Sequence, residues 1–96
     1  MPDDLQIELF GEPITVRFVS RLGKKGKGDD GDCQPPGTEN RTIRIRRGQK
    51  PLDELDTILH ELMHAADWHK DEDSWVAHLA EVIAGTLWKL GYRKTE

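Results

Sequence analysis

The sequence predicts a small α+β domain in which strands come first and two helices follow. Residues 5–10, 14–19 and 42–47 alternate apolar and polar side chains, as half-buried strands do. From residue 51 onward, apolar side chains recur at helical spacing. The 96 residues, of which 35% are hydrophobic and 33% charged, suffice for one domain with a small core.

Three short strands are expected in the first half of the chain. Leu5 to Phe10 and Ile14 to Val19 are separated by a Gly-Glu-Pro turn, and Thr42 to Arg47 alternates most regularly. Residues 22–40 combine glycines, lysines and aspartates with few apolar side chains, which predicts a flexible loop. The expected sheet therefore has three strands, and residues 1–96 form a single domain.

Two helices complete the predicted fold. The first begins at Pro51, which suits a first helical turn, and runs to about Trp68. Its apolar positions are Leu55, Ile58, Leu59, Leu62 and Ala66. The second begins between Asp71 and Ser74 and ends before Gly91. Its expected buried stripe consists of Val76, Leu79, Ile83, Leu87 and Leu90.

Charge is unevenly distributed along the chain, whose net charge is −4. Residues 17–50 hold ten bases and four acids between two acidic ends, and this basic strip would attract an acidic peptide or a nucleic acid. The simpler interpretation is solvated strand faces and a charged loop. No apolar run approaches the roughly 20 residues that span a bilayer. With a single cysteine, Cys33, and no apolar targeting segment, we expect a cytoplasmic protein.

The segment that carries chemistry is His60-Glu61-Leu62-Met63-His64, within the first predicted helix. Residues four apart share a helix face, so two imidazoles can bind one zinc ion at about 2.0–2.1 Å each. Zinc lowers the pKa of its water towards about 7, and Glu61 is the expected general base for that water. The alternative is a helix with two surface histidines and a glutamate that is there by chance.

The run from Leu55 to Ala65 resembles the active-site helix of the zincins. Together with Trp88 to Tyr92, it resembles short zincin-like proteins of bacteriophages and prophages over about residues 41–93. The resemblance implies a minimal zincin-like fold, one zinc ion and peptide-bond hydrolysis, in the host cytoplasm where the protein is phage-encoded. It does not supply a substrate.

A third zinc ligand has to come from outside the motif, because catalytic zinc takes three protein ligands. The metzincin extension would need glycine and histidine where Asp67 and Lys70 stand. In gluzincins the ligand is a glutamate from a following helix, which indicates Glu81. His78 is the rival ligand; it could instead donate to an oxyanion or be a surface histidine.

The position of Glu81 on the second helix leaves two interpretations open. It lies about 160° from the predicted apolar stripe, beside Ala77, Ala84 and Trp88. Either this side meets the first helix, or it is a solvated polar face. Asp67 falls on the side of the histidine pair and would orient a ligand, unless it is an ordinary carboxylate near a helix end.

Residues around the motif suggest further roles. The strand Thr42 to Arg47 is an expected edge strand that pairs with extended substrate, and Arg44 and Arg46 would then favour acidic side chains. Equally, these charges would only block aggregation at an edge. Cys33 would reach the zinc only as an inhibitory ligand, and a plain loop cysteine is the simpler interpretation. Tyr92 is expected to pack rather than to reach the cleft.

The sequence therefore favours a zinc-dependent peptidase that acts on peptides or proteins. One alternative is a zincin-like scaffold that binds metal, has little hydrolytic activity and serves regulation. Another is a DNA-associated protease, which the basic strip favours and which the acidic net charge and the lack of a nucleic-acid-binding motif disfavour. The oligomeric state and the metal loaded in the cell stay open.

Overall fold

The computed structural model describes residues 4–22, 30–71 and 74–93. Its strands are β1 (Asp4–Leu9), β2 (Glu12–Val19), β3 (Gly31–Cys33) and β4 (Thr42–Arg46). Its helices are α1 (Pro51–Asp67) and α2 (Trp75–Lys89). The predicted α+β class and the order of strands before helices are confirmed. Neither helix within the described ranges is long and apolar enough to cross a bilayer.

The sheet has four strands in the order β1-β2-β4-β3, so the predicted three-stranded sheet lacks one strand. β1 and β2 are antiparallel, β2 and β4 are parallel, and β3 is antiparallel to β4. Residues 22–40 were expected to form a flexible loop, and this prediction is wrong for residues 31–33, which form β3. There the amides of Arg46 and Gln34 bond to Asp30 and Thr42 carbonyls at 2.7 and 3.2 Å. Most of the lysine-rich part of that loop falls in residues 23–29, outside the described residues.

The turn between β1 and β2 is held by two histidines from the helical half. Phe10 and Gly11 have φ angles of 51° and 81°, which are typical of a tight two-residue hairpin turn. The Phe10 amide donates to Nε2 of His78 at 2.7 Å. The Phe10 ring lies near the rings of His69 and His78, at centroid distances of 4.5 and 4.3 Å. These contacts offset the unfavourable positive φ of Phe10.

The core lies between one face of the sheet and the two helices. Alternate strand residues are buried there, namely Leu5, Ile7, Leu9, Ile14, Val16, Phe18, Ile43 and Ile45. The helices contribute Ile58, Leu62, Ala65, Ala66, Leu79 and Val82. Burying one large aliphatic side chain contributes roughly 1.5–3 kcal/mol, so this cluster holds α1 and α2 on the sheet.

The buried face of α2 differs from the predicted stripe. Val76 is 70% exposed, whereas Val82 and Thr86 are buried beside Leu79. The reason is that α2 packs against β1 as well as against α1, which turns its contact face towards Val82. The periodicity of apolar residues cannot show where β1 lies relative to α2. The buried stripe predicted for α2 was therefore misplaced around the helix axis.

The opposite face of the sheet is polar and electrically balanced. Ion pairs link neighbouring strands there, namely Arg17–Asp4, Arg44–Asp32 and Arg46–Asp30. The hydrogen bonds that Arg44 donates to Asp32 raise the pKa of the guanidinium. Because water screens exposed pairs of this kind, they contribute little to stability. In the described part of the chain, these strand arginines of the basic strip thus belong to a solvated face with paired charges.

Candidate metal centre

His60 and His64 converge on the exposed side of α1. Their Nε2 atoms lie 2.9 Å apart, and their rings meet edge to face at a centroid distance of 4.4 Å. Two nitrogens that each bind one zinc ion at about 2.0–2.1 Å can be no more than about 4.2 Å apart. At 2.9 Å the two nitrogens are at hydrogen-bond distance from each other, whereas tetrahedral zinc holds two nitrogens about 3.3 Å apart, so a small movement of the rings would let them share a cation.

A cavity of about 410 Å³ opens beside this pair. Besides the two histidines, it is lined by Met63 and Asp67 of α1 and by Trp75 and Leu79 of α2. Its wall is mainly apolar apart from the imidazoles and one carboxylate. Asp67 thus shares the cavity with the pair, as the sequence predicted for its side of the helix.

Glu61 lies on a different side of α1 from the histidines. Its residue is only 7% exposed, and it packs against β3. Its carboxylate lies close enough to the Cys33 thiol for the two groups to interact electrostatically. Burial raises the pKa of the Cys33 thiol, and the negative charge of Glu61 raises it further. Cys33 is therefore a strand residue in contact with the predicted general base, and not a plain loop cysteine.

Gly31 allows β3 to approach α1 this closely. A Cβ atom at this position would lie 2.8 Å from Cγ2 of Thr57 and 3.0 Å from Cγ of Glu61. Distances this short require one of the two elements to move. Thr57 cannot turn away freely, because its hydroxyl proton is shared between two acceptors, the Gln49 side-chain oxygen and the Asp53 carbonyl, both at 2.9 Å. The missing side chain at residue 31 thus sets the spacing between the edge strand and Glu61.

The expectation that Thr42 to Arg47 forms an edge strand is wrong. β4 is paired on both sides, with β2 and with β3, because residues 31–33 add a further strand outside it. Within the described residues no further strand pairs with β3, so β3 forms the free edge of the sheet beside α1. Because residues 30 and 34 bond to β4, antiparallel alternation turns the backbone groups of Gly31 and Cys33 towards that free edge.

Glu81 is not brought together with the histidine pair. It lines a separate cavity of about 250 Å³ between α2 and β1, together with Glu8, His78 and Lys89. His78 accepts the hydrogen bond from the Phe10 amide in that region. Among the described residues, no group of three His, Cys, Asp or Glu side chains is arranged to bind one metal ion.

Arg41 is a buried cation that the sequence analysis did not single out. It is 2% exposed and donates to the Gln34 carbonyl at 2.8 Å, to Oε1 of Glu12 at 3.0 Å and to the Ala65 carbonyl at 3.3 Å. No sequence signal distinguishes it, because it is one of ten bases in residues 17–50. It connects the β1–β2 hairpin, the segment after β3 and the last turns of α1.

Trp75 fixes the same end of α1 from the other side. Its indole Nε1 donates to the Ala66 carbonyl at 2.7 Å, and its ring lines the cavity beside the histidines. The last carbonyls of a helix have no partner within the helix, so such donors are stabilising. Tyr92 is 61% exposed, so the expected packing role is not observed.

Comparison of the chain with protein-family models, with curated proteins and with solved structures found no match. The resemblance to the zincins therefore remains an expectation based on the sequence.

Proposed function

We propose that this protein is a zinc-dependent metallopeptidase in which His60 and His64 bind the metal and Glu61 acts as general base. The observation that carries the proposal is the 2.9 Å separation of the two Nε2 atoms on the open side of α1. Neutral imidazole nitrogen is a common zinc ligand, and the adjoining cavity gives a substrate access to the pair.

A bound zinc ion would supply Lewis-acid chemistry, polarising a peptide carbonyl and making a water molecule more acidic. Glu61 would accept the proton of the attacking water at a carboxylate oxygen and transfer it to the leaving amine nitrogen. Before it can do so, the carboxylate has to turn from Cys33 towards the histidine side, because it is buried against β3. This rotation is part of the proposed mechanism.

The substrate we propose is an extended peptide with an apolar side chain near the cleaved bond. The free edge of β3 offers the backbone groups of Gly31 and Cys33 for pairing with an extended chain. The neighbouring cavity is lined by Met63, Trp75 and Leu79, which favour an apolar substrate side chain. The sequence alone instead suggests an acidic substrate side chain, because of Arg44 and Arg46. Those two arginines face Asp32 and Asp30 on the other side of the sheet.

Glu81 stays the proposed third ligand, and that role has a structural consequence. Its carboxylate would have to leave the cavity it shares with Glu8 and reach the cavity of His60 and His64. Zinc binding would then move α2 relative to α1. Asp67 is the competing ligand, because it already lines the cavity of the pair.

The test is zinc content and peptide cleavage in wild type and in Glu61→Gln. We expect one zinc ion per chain in both, with cleavage of a peptide library lowered about 10²–10⁴-fold in the variant. Glu54→Gln on the same helix is the control and should cleave like wild type. A wild-type chain that takes up no zinc would overturn the metal site and the enzyme together.

A metal-binding protein without hydrolytic activity is the second candidate, because Glu61 is buried against β3 beside Cys33. In that case the histidine pair binds zinc and Glu61 serves only to join α1 to β3. The same measurements distinguish the two. Zinc-loaded wild type and Glu61→Gln that are equally inactive on every peptide would favour this candidate over the peptidase.

A further inference from the structure

We infer that Arg41 is a positioning residue for the metal centre, an inference that rests on the proposed zinc site. A guanidinium that is 2% exposed has lost its hydration, and such a cation is tolerated only where hydrogen bonds replace the lost water. Arg41 therefore has to keep its hydrogen bonds to the protein. This requirement also restricts the positions of the groups that accept those bonds.

The partners belong to three separate parts of the fold. Nη2 donates to the Ala65 carbonyl at 3.3 Å, one residue after His64. Nε donates to the Gln34 carbonyl at 2.8 Å, one residue after Cys33. Arg41 thus links the segment that follows the proposed substrate-binding edge of β3 to the helical turn that carries the second histidine.

The third partner fixes the guanidinium itself. Nη1 donates to Oε1 of Glu12 at 3.0 Å, and the other carboxylate oxygen of Glu12 accepts the Gly37 amide at 2.9 Å. The hairpin between β1 and β2 therefore holds the plane of the guanidinium. Since the donors of arginine form a rigid planar fork, this anchor also fixes the direction of the bonds to Gln34 and Ala65.

The helix end gains from this contact as well. The Ala65 carbonyl lies in the last turn of α1, where a positive charge interacts favourably with the helix dipole. Trp75 donates to the next carbonyl, of Ala66, at 2.7 Å. Two side chains from outside α1 therefore fix its last turn, directly after His64. Loss of Arg41 should let this turn move and separate the two imidazoles.

The experiment measures zinc affinity, by competition with a chromophoric chelator, in wild type, R41K and R41M. Lysine retains the charge of Arg41 but not its planar set of donors, and methionine removes both. Both variants should therefore bind zinc about 10–100-fold more weakly than wild type, the loss typical of residues that orient metal ligands. R44M is the matched control, because Arg44 lies on the exposed face of the sheet; its affinity should equal that of wild type.

A second variant and a second readout separate positioning from loss of folding. E12Q keeps Arg41 but replaces its charged anchor with a neutral amide, whose single oxygen can take the place of only one of the two that accept from Arg41 and Gly37, and should weaken zinc binding less than R41M does. Cobalt-loaded R41K, with circular dichroism like that of wild type, should show a shifted visible absorption spectrum, whereas R44M should not. If E12Q and R41K bind zinc as tightly as wild type with unchanged cobalt spectra, the inference is overturned while the zinc site stands. If wild type binds no zinc, the proposed function falls and the inference with it.

Discussion

The carboxylate of Glu61 lies beside the thiol of Cys33, across the contact between β3 and α1. Burial and the charge of Glu61 both raise the pKa of the thiol, so little reactive thiolate forms near neutral pH. Glu61→Gln removes the charge and lowers the pKa of Cys33. We therefore predict faster alkylation by iodoacetamide at about pH 8.5 in this variant.

The control for that measurement is Glu81→Gln, which changes the same side-chain type on the exposed surface of α2. Its alkylation rate should equal that of wild type. Equal rates in Glu61→Gln and wild type would mean that the carboxylate does not act on the thiol.

Loss of either histidine of the pair should abolish tight zinc binding. His60→Ala and His64→Ala each remove one of two nitrogens that lie 2.9 Å apart, leaving a single imidazole on that face of α1. We predict a loss of at least about 100-fold in zinc affinity, above the range seen for residues that only orient ligands. Isothermal titration calorimetry would measure it. His69→Gln is the control, and an equal loss there would argue against the pair.

Glu81 and His78 can be separated as third ligands by their effects. Glu81→Ala should weaken zinc binding, because the metal would lose a carboxylate ligand. His78→Ala should leave zinc affinity unchanged and lower stability instead, because it removes the acceptor of the Phe10 amide.

Zinc binding through Glu81 should also change the fluorescence of Trp75 more in wild type than in Glu81→Ala, because only the carboxylate of Glu81 would require α2 to move against α1. Steady-state emission during zinc titration would record the change. If Glu81→Ala binds zinc like wild type and the two show the same emission change, Glu81 is not the ligand and Asp67 becomes the residue to replace.

Gly31→Ala should destabilise the protein by about 1–3 kcal/mol, the cost of overpacking a well-packed contact. The added Cβ would lie 2.8 Å from Cγ2 of Thr57, whose side chain is fixed by two hydrogen bonds. Urea unfolding would measure the loss. Gly85→Ala is the matched control, because nothing lies within 4 Å of an added Cβ there and alanine favours a helix by up to about 1 kcal/mol. The prediction fails if Gly31→Ala is as stable as Gly85→Ala.

Glu12 should contribute to stability in a pH-dependent way. The Gly37 amide lowers the pKa of Glu12, as does Arg41, while burial opposes them. A lowered folded-state pKa means that the carboxylate stabilises the fold above its unfolded pKa of about 4.3. That contribution is lost as the pH falls through the folded pKa.

The stability difference between wild type and Glu12→Gln should therefore be constant from about pH 7 to pH 5 and shrink below. Urea unfolding across this pH range would measure it, with Glu39→Gln, an exposed glutamate, as control. A difference that does not depend on pH would show that ionisation of Glu12 plays no part.

The local elements and the histidine pair could be predicted from the sequence because both depend on short-range geometry. Two residues four apart on a helix face the same way in any fold, and the Nε2 atoms of His60 and His64 do converge. The alternation of Ile43 and Ile45 with arginines likewise predicted β4. Residues 31–33 were missed because a three-residue strand has too short a pattern, and only pairing with β4 makes it a strand.

What the sequence alone determined is the class of the fold and the face of α1 that presents two imidazoles, since these follow from backbone periodicity. Tertiary packing decided which strand lies at the free edge, that Glu61 is buried against Cys33, and that Glu81 faces β1. It also turned Arg41 from one base among ten into a buried link between three parts of the fold. The physical reason is that burial and long-range hydrogen bonds depend on how elements lie against one another, which no local pattern of side chains encodes.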